Sequence, residues 1–416
     1  MRSSGALRYL VLDLNAYFAS VEQQENPRLR GRPVAVVPMA DTDSTCAIAA
    51  SYEAKRQGVT TGTRIYEARR LCPGLITVPA RHDLYVDYHG RLMAEIANHL
   101  PIHKEMSIDE AACRLIGSEC EPENARKIAR AIKAGIRLRV GECLSCSIGI
   151  APSMLLAKIA SNMEKPDGLV VLEAKDLPGR LLDFKLTDLP GIALNREAYL
   201  KRAGVTDIAA FWALAPKEAR MVWGSVGGER YWYELHGFDL PEFATARRSI
   251  GHSRVLAPAM RTPVRARLVA RALLLKAAVR LRRYGYAAGG LGLSARSEWR
   301  SRFIEETNFA PTQDSFLLLN RLDALWRRNE PRESLILVSI WLTRLTPVET
   351  RARDLFIARR PDGLTRGEAL WRAIDKLGRK YQGGIVAPAS QRGLSLQYLG
   401  AKIAFTRVPD SIEFDE

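Results

Sequence analysis

Long apolar runs are missing from this chain of 416 residues. Nothing in it approaches the roughly 18 consecutive apolar residues that a membrane-spanning helix needs. The apolar run near the start, RYLVLDL at 8–14, is short and holds an acid, so neither a signal peptide nor a membrane anchor is expected. Cytoplasmic residence is the expectation that follows. Cysteine is scarce, with six in the chain, which excludes a disulfide scaffold. Cys143 and Cys146 form a lone C-x-x-C inside CLSCSIGI, an apolar segment that reads as a buried strand. A zinc or redox role needs a second pair or a nearby histidine pair. His99 and His103 are four apart, but Pro101 lies between them and breaks any shared helix face. The thiols are therefore read as structural. There is no internal repeat and no low-complexity tract. Acid is nearly absent from one segment: residues 246–302 hold fourteen Arg or Lys and a single acid, Glu298.

What is present describes a globular chain, 47% hydrophobic and 26% charged, too long for one core and expected to divide into two to four domains. Lys plus Arg number 62 against 46 Asp plus Glu, a formal charge of +16. That excess favours a polyanionic partner, either nucleic acid or an anionic surface. A generic solubilising face is the plainer alternative, but such faces usually mix the signs.

Residues 8–14 read as a buried strand closed by Asp13, followed by a helix from NAYFASVEQQ with Asn15 as its N-cap. Residues 33–39 and 45–51 read as a strand pair, 52–58 as a short helix stopping at Gly58, and 82–100 as a long amphipathic helix. MSIDEAACRL (106–115) and CLSCSIGIA (143–151) read as single strands, with a helix over 123–141 between them. The order implies a small antiparallel or mixed sheet backed by helices, an α+β layer. Helical sequence covers about 177–238, and 241–249 reads as an exposed basic linker. Strand (249–256), helix (262–284), strand (289–298), strand (302–309), helix (312–328) and strand (334–346) then give βαββαβ, a second α+β domain.

Phosphoryl transfer to a sugar hydroxyl needs hard-oxygen ligands for divalent metal ions. Asp13 ends one strand, and Asp109 and Glu110 sit together in another. In a flat strand, neighbours point to opposite faces, so the strand must bend or end there for both acids to serve one metal pair. A solvated loop is the usual setting for any single acid. A charged pair inside an apolar strand is harder to dismiss, because burial without a partner is costly.

DLNAYFASVEQ (13–23), AASYEAKRQGV (49–59), SIDEA (107–111) and CSIGIAPSMLLAKIASNMEKPDGL (146–169) resemble, in order and spacing, the signature segments of Y-family DNA polymerases such as bacterial polymerases IV and V. The resemblance runs from about residue 8 to 350. It implies a right-hand polymerase with a little-finger domain: palm at 1–16 and 81–172, fingers at 17–80, thumb at 173–242, linker at 243–248, little finger at 249–348 and a tail at 349–416. It implies error-prone translesion synthesis by a monomer on primer–template DNA with deoxynucleoside triphosphates, away from any membrane and without a proofreading domain. Two Mg2+ ions, with Mn2+ as a substitute, would be held by Asp13, Asp109, Glu110 and the Leu14 carbonyl. Tyr17 and Phe18 match the aromatics under the incoming sugar, Phe18 as the steric gate; plain core packing is the alternative for that ring. Tyr52, Lys55 and Lys165 match the residues that hold the triphosphate.

The chain departs from the pattern in four places. Lys55 stands where many members have Arg, Ala49 where many have Thr, and Asn15 replaces a common Asp. LTDLPGIALNREAYLKRAGV (186–205) resembles the thumb's helix-hairpin-helix, with Gly191 facing a DNA phosphate, but Ala193 replaces its usual second glycine. Arg247, Arg248 and Arg254 would contact DNA. Leu355 and Phe356 would fit a sliding-clamp peptide, though without its glutamine. A polymerase-shaped scaffold that recruits other polymerases is the competing reading, expected to have lost the acids. A nucleic-acid binder of other ancestry is supported by charge alone.

Overall fold

The computed structural model of the chain describes residues 5–38, 43, 45–243, 246–299, 301–329, 331–351, 363–381, 386, 388–391 and 408. These divide into two compact units with the break between Glu242 and Phe243. Among the described residues, no helix is long and apolar enough to cross a membrane.

The first unit is built around β1 (Tyr9–Leu14), whose six residues are all buried. A strand covered on both faces needs apolar residues at every position, and YLVLDL meets that need except at Asp13. Leu10, Leu12 and Leu14 enter one core and Tyr9 and Val11 enter another. Asp13 shares the second face, since alternate residues share a side. From β1 the chain passes into α1 (Tyr17–Glu25). The expected Asn15 cap is not made. Ala16 holds the N-cap position in a left-handed conformation (φ 49), with no side-chain cap, and Asn15 turns inward.

Next come β2 (Val34–Val37), β3 (Ala49–Ala50), α2 (Tyr52–Lys55), α3 (Ile65–Leu71) and β4 (Ile76–Pro79). Their strands form a three-stranded sheet in the order β3-β2-β4; β2 and β3 are the expected pair, and they run antiparallel. Then follow α4 (His82–Ala97), β5 (Ile102–Ser107), β6 (Glu110–Arg114), α5 (Pro122–Gly135), β7 (Cys146–Ala151), α6 (Met154–Met163) and β8 (Leu169–Val171). The five-stranded sheet runs β5-β6-β1-β7-β8, antiparallel except for β7 with β8. It is a mixed sheet with helices on it, as expected. The segment 106–115 is not one strand, however. It breaks at Ile108–Asp109 into a hairpin, because the Ser107 hydroxyl donates to the Asp109 carboxylate at 2.5 Å and accepts from its amide at 3.4 Å. Such local side-chain bonds compete with the strand ladder. Gly149 lets α6 close on β7: a Cβ there would run into the Ala157 carbonyl and the Ser161 amide.

The unit ends in short helices: α7 (Leu194–Arg202), α8 (Ile208–Trp212), α9 (Pro216–Trp223) and α10 (Val226–Leu235). In the expected helix-hairpin-helix, the first helix is only a 3-10 turn, Leu186–Asp188. Gly191 makes the hairpin at φ +88, and the Tyr231 hydroxyl donates to the Pro190 carbonyl at 3.0 Å. The six cysteines are free, and burial pushes the Cys146 thiol up to about 12.

The second unit shows the βαββαβ order: β9 (Ser249–Val255), α11 (Pro263–Arg283), β10 (Tyr286–Ser297), β11 (Arg302–Thr312), α12 (Ser315–Arg328) and β12 (Leu335–Pro347). The sheet runs β11-β10-β12-β9, and Leu291, Leu293, Val338, Ile340 and Leu342 pack beneath the two helices. A further helix, α13 (Arg366–Tyr381), lies in the part of the tail that gave no reading from sequence. It is fixed by two buried ion pairs. Arg351 reaches Glu368 at 2.6 Å, and Arg282 makes two bonds to Asp375 at 2.5 and 2.8 Å.

Candidate active site

Three elements of the first unit deliver the acids. Asp13 on β1 and Glu110 on β6 are cross-strand partners, so both project from adjacent strand ends. Asp109 lies in the hairpin turn just before β6, and its carbonyl accepts the Leu14 amide at 2.8 Å. The bend demanded by the sequence argument is this turn. Asp13 is 6% exposed, and carboxylates buried side by side repel unless a cation joins them.

Two ammonium groups supply that charge. Lys158, from α6, bonds the Asp13 carboxylate and reaches Glu110 at 2.7 Å. Lys165 reaches the other Asp13 oxygen at 2.6 Å. Burial raises the pKa of Asp109, and the Asp13 charge adds to the rise while Ser107 and Lys158 oppose it. Burial likewise raises Glu110 against the pull of Lys158. For Lys158 burial works against the charge, yet Asp13 and Glu110 outweigh it and its pKa rises. Among the described residues, no three His, Cys, Asp or Glu side chains gather into a ready metal cage; the lysines stand among the acids.

Asn15 ties this centre to the loop that carries Lys165. Its amide nitrogen donates to the Ser147 hydroxyl at 3.1 Å, and its oxygen accepts the Asp167 amide at 2.9 Å. It also lowers the pKa of Tyr52 by a side-chain hydrogen bond, against burial and the Asp13 charge, which together raise it. The Lys55 ammonium lies 4.5 Å from the centre of the Tyr52 ring. Burial lowers the Lys55 pKa and Lys165 lowers it further, so the two lysines feel each other. Tyr52, Lys55, Lys165 and Asp13 thus share one neighbourhood.

The aromatic pair divides. Tyr17 is buried, and its hydroxyl donates to the Tyr85 carbonyl at 2.6 Å. Phe18 is half-buried and stacks on the Tyr85 ring at 4.3 Å, 12° from parallel. Tyr85 is held in turn by Glu22, which accepts its hydroxyl at 2.7 Å and pairs with Arg81. Of the two, Phe18 is the one that is partly exposed.

Lys158 was not singled out from sequence. Its signal was a lone charge in the apolar helix MLLAKIASNM, since lysine is almost never buried without a partner. The predicted DNA contacts of the second unit are at its surface: Arg247 and Arg248 are exposed and Arg254 is half-buried on the edge strand β9. Arg247 also covers the Tyr284 ring at 3.9 Å. Four cations of the arginine-rich segment instead serve internal ion pairs. Arg267 and Arg271 hold Asp323, Arg261 holds Glu298 and Arg282 holds Asp375. Leu355 and Phe356 lie outside the described residues.

Residues 12–162, which include all three acids, match the impB/mucB/samB family. Residues 247–355 match the C-terminal domain of that family. The DNA polymerase IV of Moorella thermoacetica is 33% identical over 406 residues, covering 94% of this chain and 98% of the relative. The DNA polymerase IV 1 of Bacillus subtilis is 27% identical over 375 residues, covering 89% of each. Among solved structures, a Y-family DNA polymerase chimera of Dbh and Dpo4 superposes with a TM-score of 0.68 at 23% identity, over 81% of this chain and 99% of the other. An insertion ternary complex of Dbh DNA polymerase gives 0.55 at 24% identity, over 81% and 98%.

Proposed function

This chain belongs to the Y-family of DNA polymerases, the impB/mucB/samB family, and from that premise we propose that Asp13, Asp109 and Glu110 form its metal-binding catalytic centre. It is a DNA-directed DNA polymerase of translesion synthesis, and its family works with divalent metal ions. The observation that carries the residue assignment is the pairing of Asp13 with Glu110 across β1 and β6, beside the turn that holds Asp109.

The residues fit such ions. The donor set is hard carboxylate oxygen, which suits magnesium, with manganese as a substitute. The buried acids require a cation between them, and Lys158 and Lys165 show cationic groups in that position. When bound, a pair of divalent ions supplies activation of the primer hydroxyl and neutralisation of charge on the triphosphate. The Leu14 carbonyl would be the backbone ligand. Lys55, Lys165 and Tyr52 hold the triphosphate oxygens, two as point charges and one through its hydroxyl. Phe18, fixed from below by Tyr85, blocks a ribose 2′-hydroxyl. Gly191 of the thumb hairpin and Arg247, Arg248 and Arg254 of the second unit grip phosphates without reading sequence. We keep the domain limits as a proposal, with residues 249–348 of the second unit as the little finger and α13 packed against it from the tail.

Primer extension by the purified chain tests the proposal. Extension should require magnesium or manganese and should vanish in Asp13→Ala and Asp109→Ala, with DNA binding retained. Activity in either variant would remove the assignment.

A further inference from the structure

We infer that His89 is a positioning residue for the catalytic turn, holding Asp109 in place from α4. The inference rests on the metal-site reading above and deepens it. His89 is 5% exposed, and its Nδ1 lies 2.8 Å from the carbonyl oxygen of Ile108. A carbonyl only accepts, so Nδ1 carries the proton and donates. Nε2 faces the exposed Glu105 carboxylate at 3.5 Å.

Ile108 and Asp109 are the two residues between β5 and β6, and the flanking residues Ser107 and Glu110 pair with each other. The turn is held at three points. The Asp109 carbonyl accepts from Leu14 on β1, Ser107 bonds the Asp109 side chain, and the Ile108 carbonyl accepts from His89. The first two come from the sheet and from the turn itself. His89 is the anchor that comes from a helix. A buried carbonyl needs a donor whatever its turn carries. This turn carries an acid of the catalytic centre, so the donor's position sets where that acid points.

The same helix face supports the other side of the site. Tyr85, four residues earlier and so one turn away, stacks under Phe18 and accepts the Tyr17 hydroxyl through its carbonyl. One face of α4 therefore fixes both the sugar floor and the metal-binding turn, and His89 serves the second of these.

Two conservative variants separate position from polarity. An asparagine amide nitrogen falls near the place of imidazole Nδ1, whereas a glutamine amide nitrogen falls near that of Nε2. His89→Asn should therefore rescue and His89→Gln should not. Mn2+ is titrated, by electron paramagnetic resonance, into the full chain bound to a dideoxy-terminated primer–template with a deoxynucleotide. His89→Gln should bind Mn2+ about 10-fold more weakly, the usual effect of losing an outer hydrogen bond at a metal site. It should lower kcat by a similar factor while leaving DNA affinity unchanged. His89→Asn should stay within about threefold of wild type in both respects. Equal behaviour of the two variants, whether both intact or both impaired, overturns the proposal. Asp109→Ala in parallel reports on the underlying reading: Mn2+ affinity unchanged in that variant would remove the metal site itself, while its loss together with unchanged His89→Gln would remove only the role of His89.

Discussion

The two units of this molecule bury charge for opposite ends. In the first, acids and lysines meet in the interior at the end of β1, where Asp13, Glu110, Lys158 and Lys165 share one neighbourhood. None of these groups is needed to fold a sheet; a leucine at position 13 would complete the apolar strand. In the second, the buried pairs Arg351–Glu368 and Arg282–Asp375 join α13 to the rest of the unit, while Arg247 and Arg248 stay exposed. An interior ion pair is expensive in water-free surroundings. In the second unit it fixes one packing arrangement; in the first, under the function proposed above, the same cost would maintain a centre for a divalent cation.

The sharpest way to break this comparison is to remove an interior charge from each unit. Asp109→Ala should reduce primer extension by about 10²–10³-fold, as removal of one preorganised polar group at a reaction centre does, and should leave thermal unfolding of the chain nearly unchanged. Steady extension would mean that the acids of the first unit are structural, like those of the second. Phe18→Ala should come next in size. If Phe18 acts as the proposed gate, removing its ring should raise ribonucleotide incorporation by about 10²-fold relative to deoxynucleotides, the scale of discrimination by simple exclusion, read from single-nucleotide insertion rates. Unchanged sugar selection would return Phe18 to plain packing against Tyr85.

In the second unit the interior charge should act on stability instead. Burial pushes the Glu368 carboxyl up, but Arg351 and the amides of Thr365 and Gln313 overcome this and hold it at about 2. Its folded pKa is thus below the ordinary carboxylate value of 4.5. The stabilisation is fully present above that ordinary value and drains away as pH falls toward about 2. The shift corresponds to about 3 kcal/mol, comparable with the ~3–5 kcal/mol lost when one partner of a buried pair is removed. Glu368→Gln should lower the thermal denaturation midpoint of the chain and flatten its acid dependence, with single-turnover insertion unaffected. A pH profile still as steep as wild type would dismiss this ion pair as the cause.

Much of this was legible in the primary structure, for a physical reason. β1, α4 and the βαββαβ order follow from hydrophobic period and turn residues, which are local. Asp13, Asp109 and Glu110 stood out because acids interrupt apolar strands. What could not be read depends on long-range partners. Asn15 looks like a cap until Ser147 and Asp167 claim its side chain. Residues 106–115 look like one strand until Ser107 folds back on Asp109. Lys158 is one lysine among many until α6 lies against β1. The arginine-rich segment looked uniform, yet Asp323, Glu298 and Asp375 withdraw four of its members into ion pairs.

That withdrawal permits the finest test of the comparison, within one charge cluster. Counterion release ties each phosphate contact to a fixed share of the salt dependence of DNA binding. Arg248 is exposed, so Arg248→Gln should reduce the slope of log affinity against log salt by about 1 and leave the denaturation midpoint alone. Arg267 is committed to Asp323 at 2.9 Å, beside Arg271. Arg267→Gln should do the reverse, lowering the midpoint slightly with the slope intact. Arg271 continues to neutralise Asp323 in that variant, which keeps the cost small. If both substitutions changed the slope equally, the internal pairs would be open to phosphates, and the division between structural and DNA-facing arginines would fail.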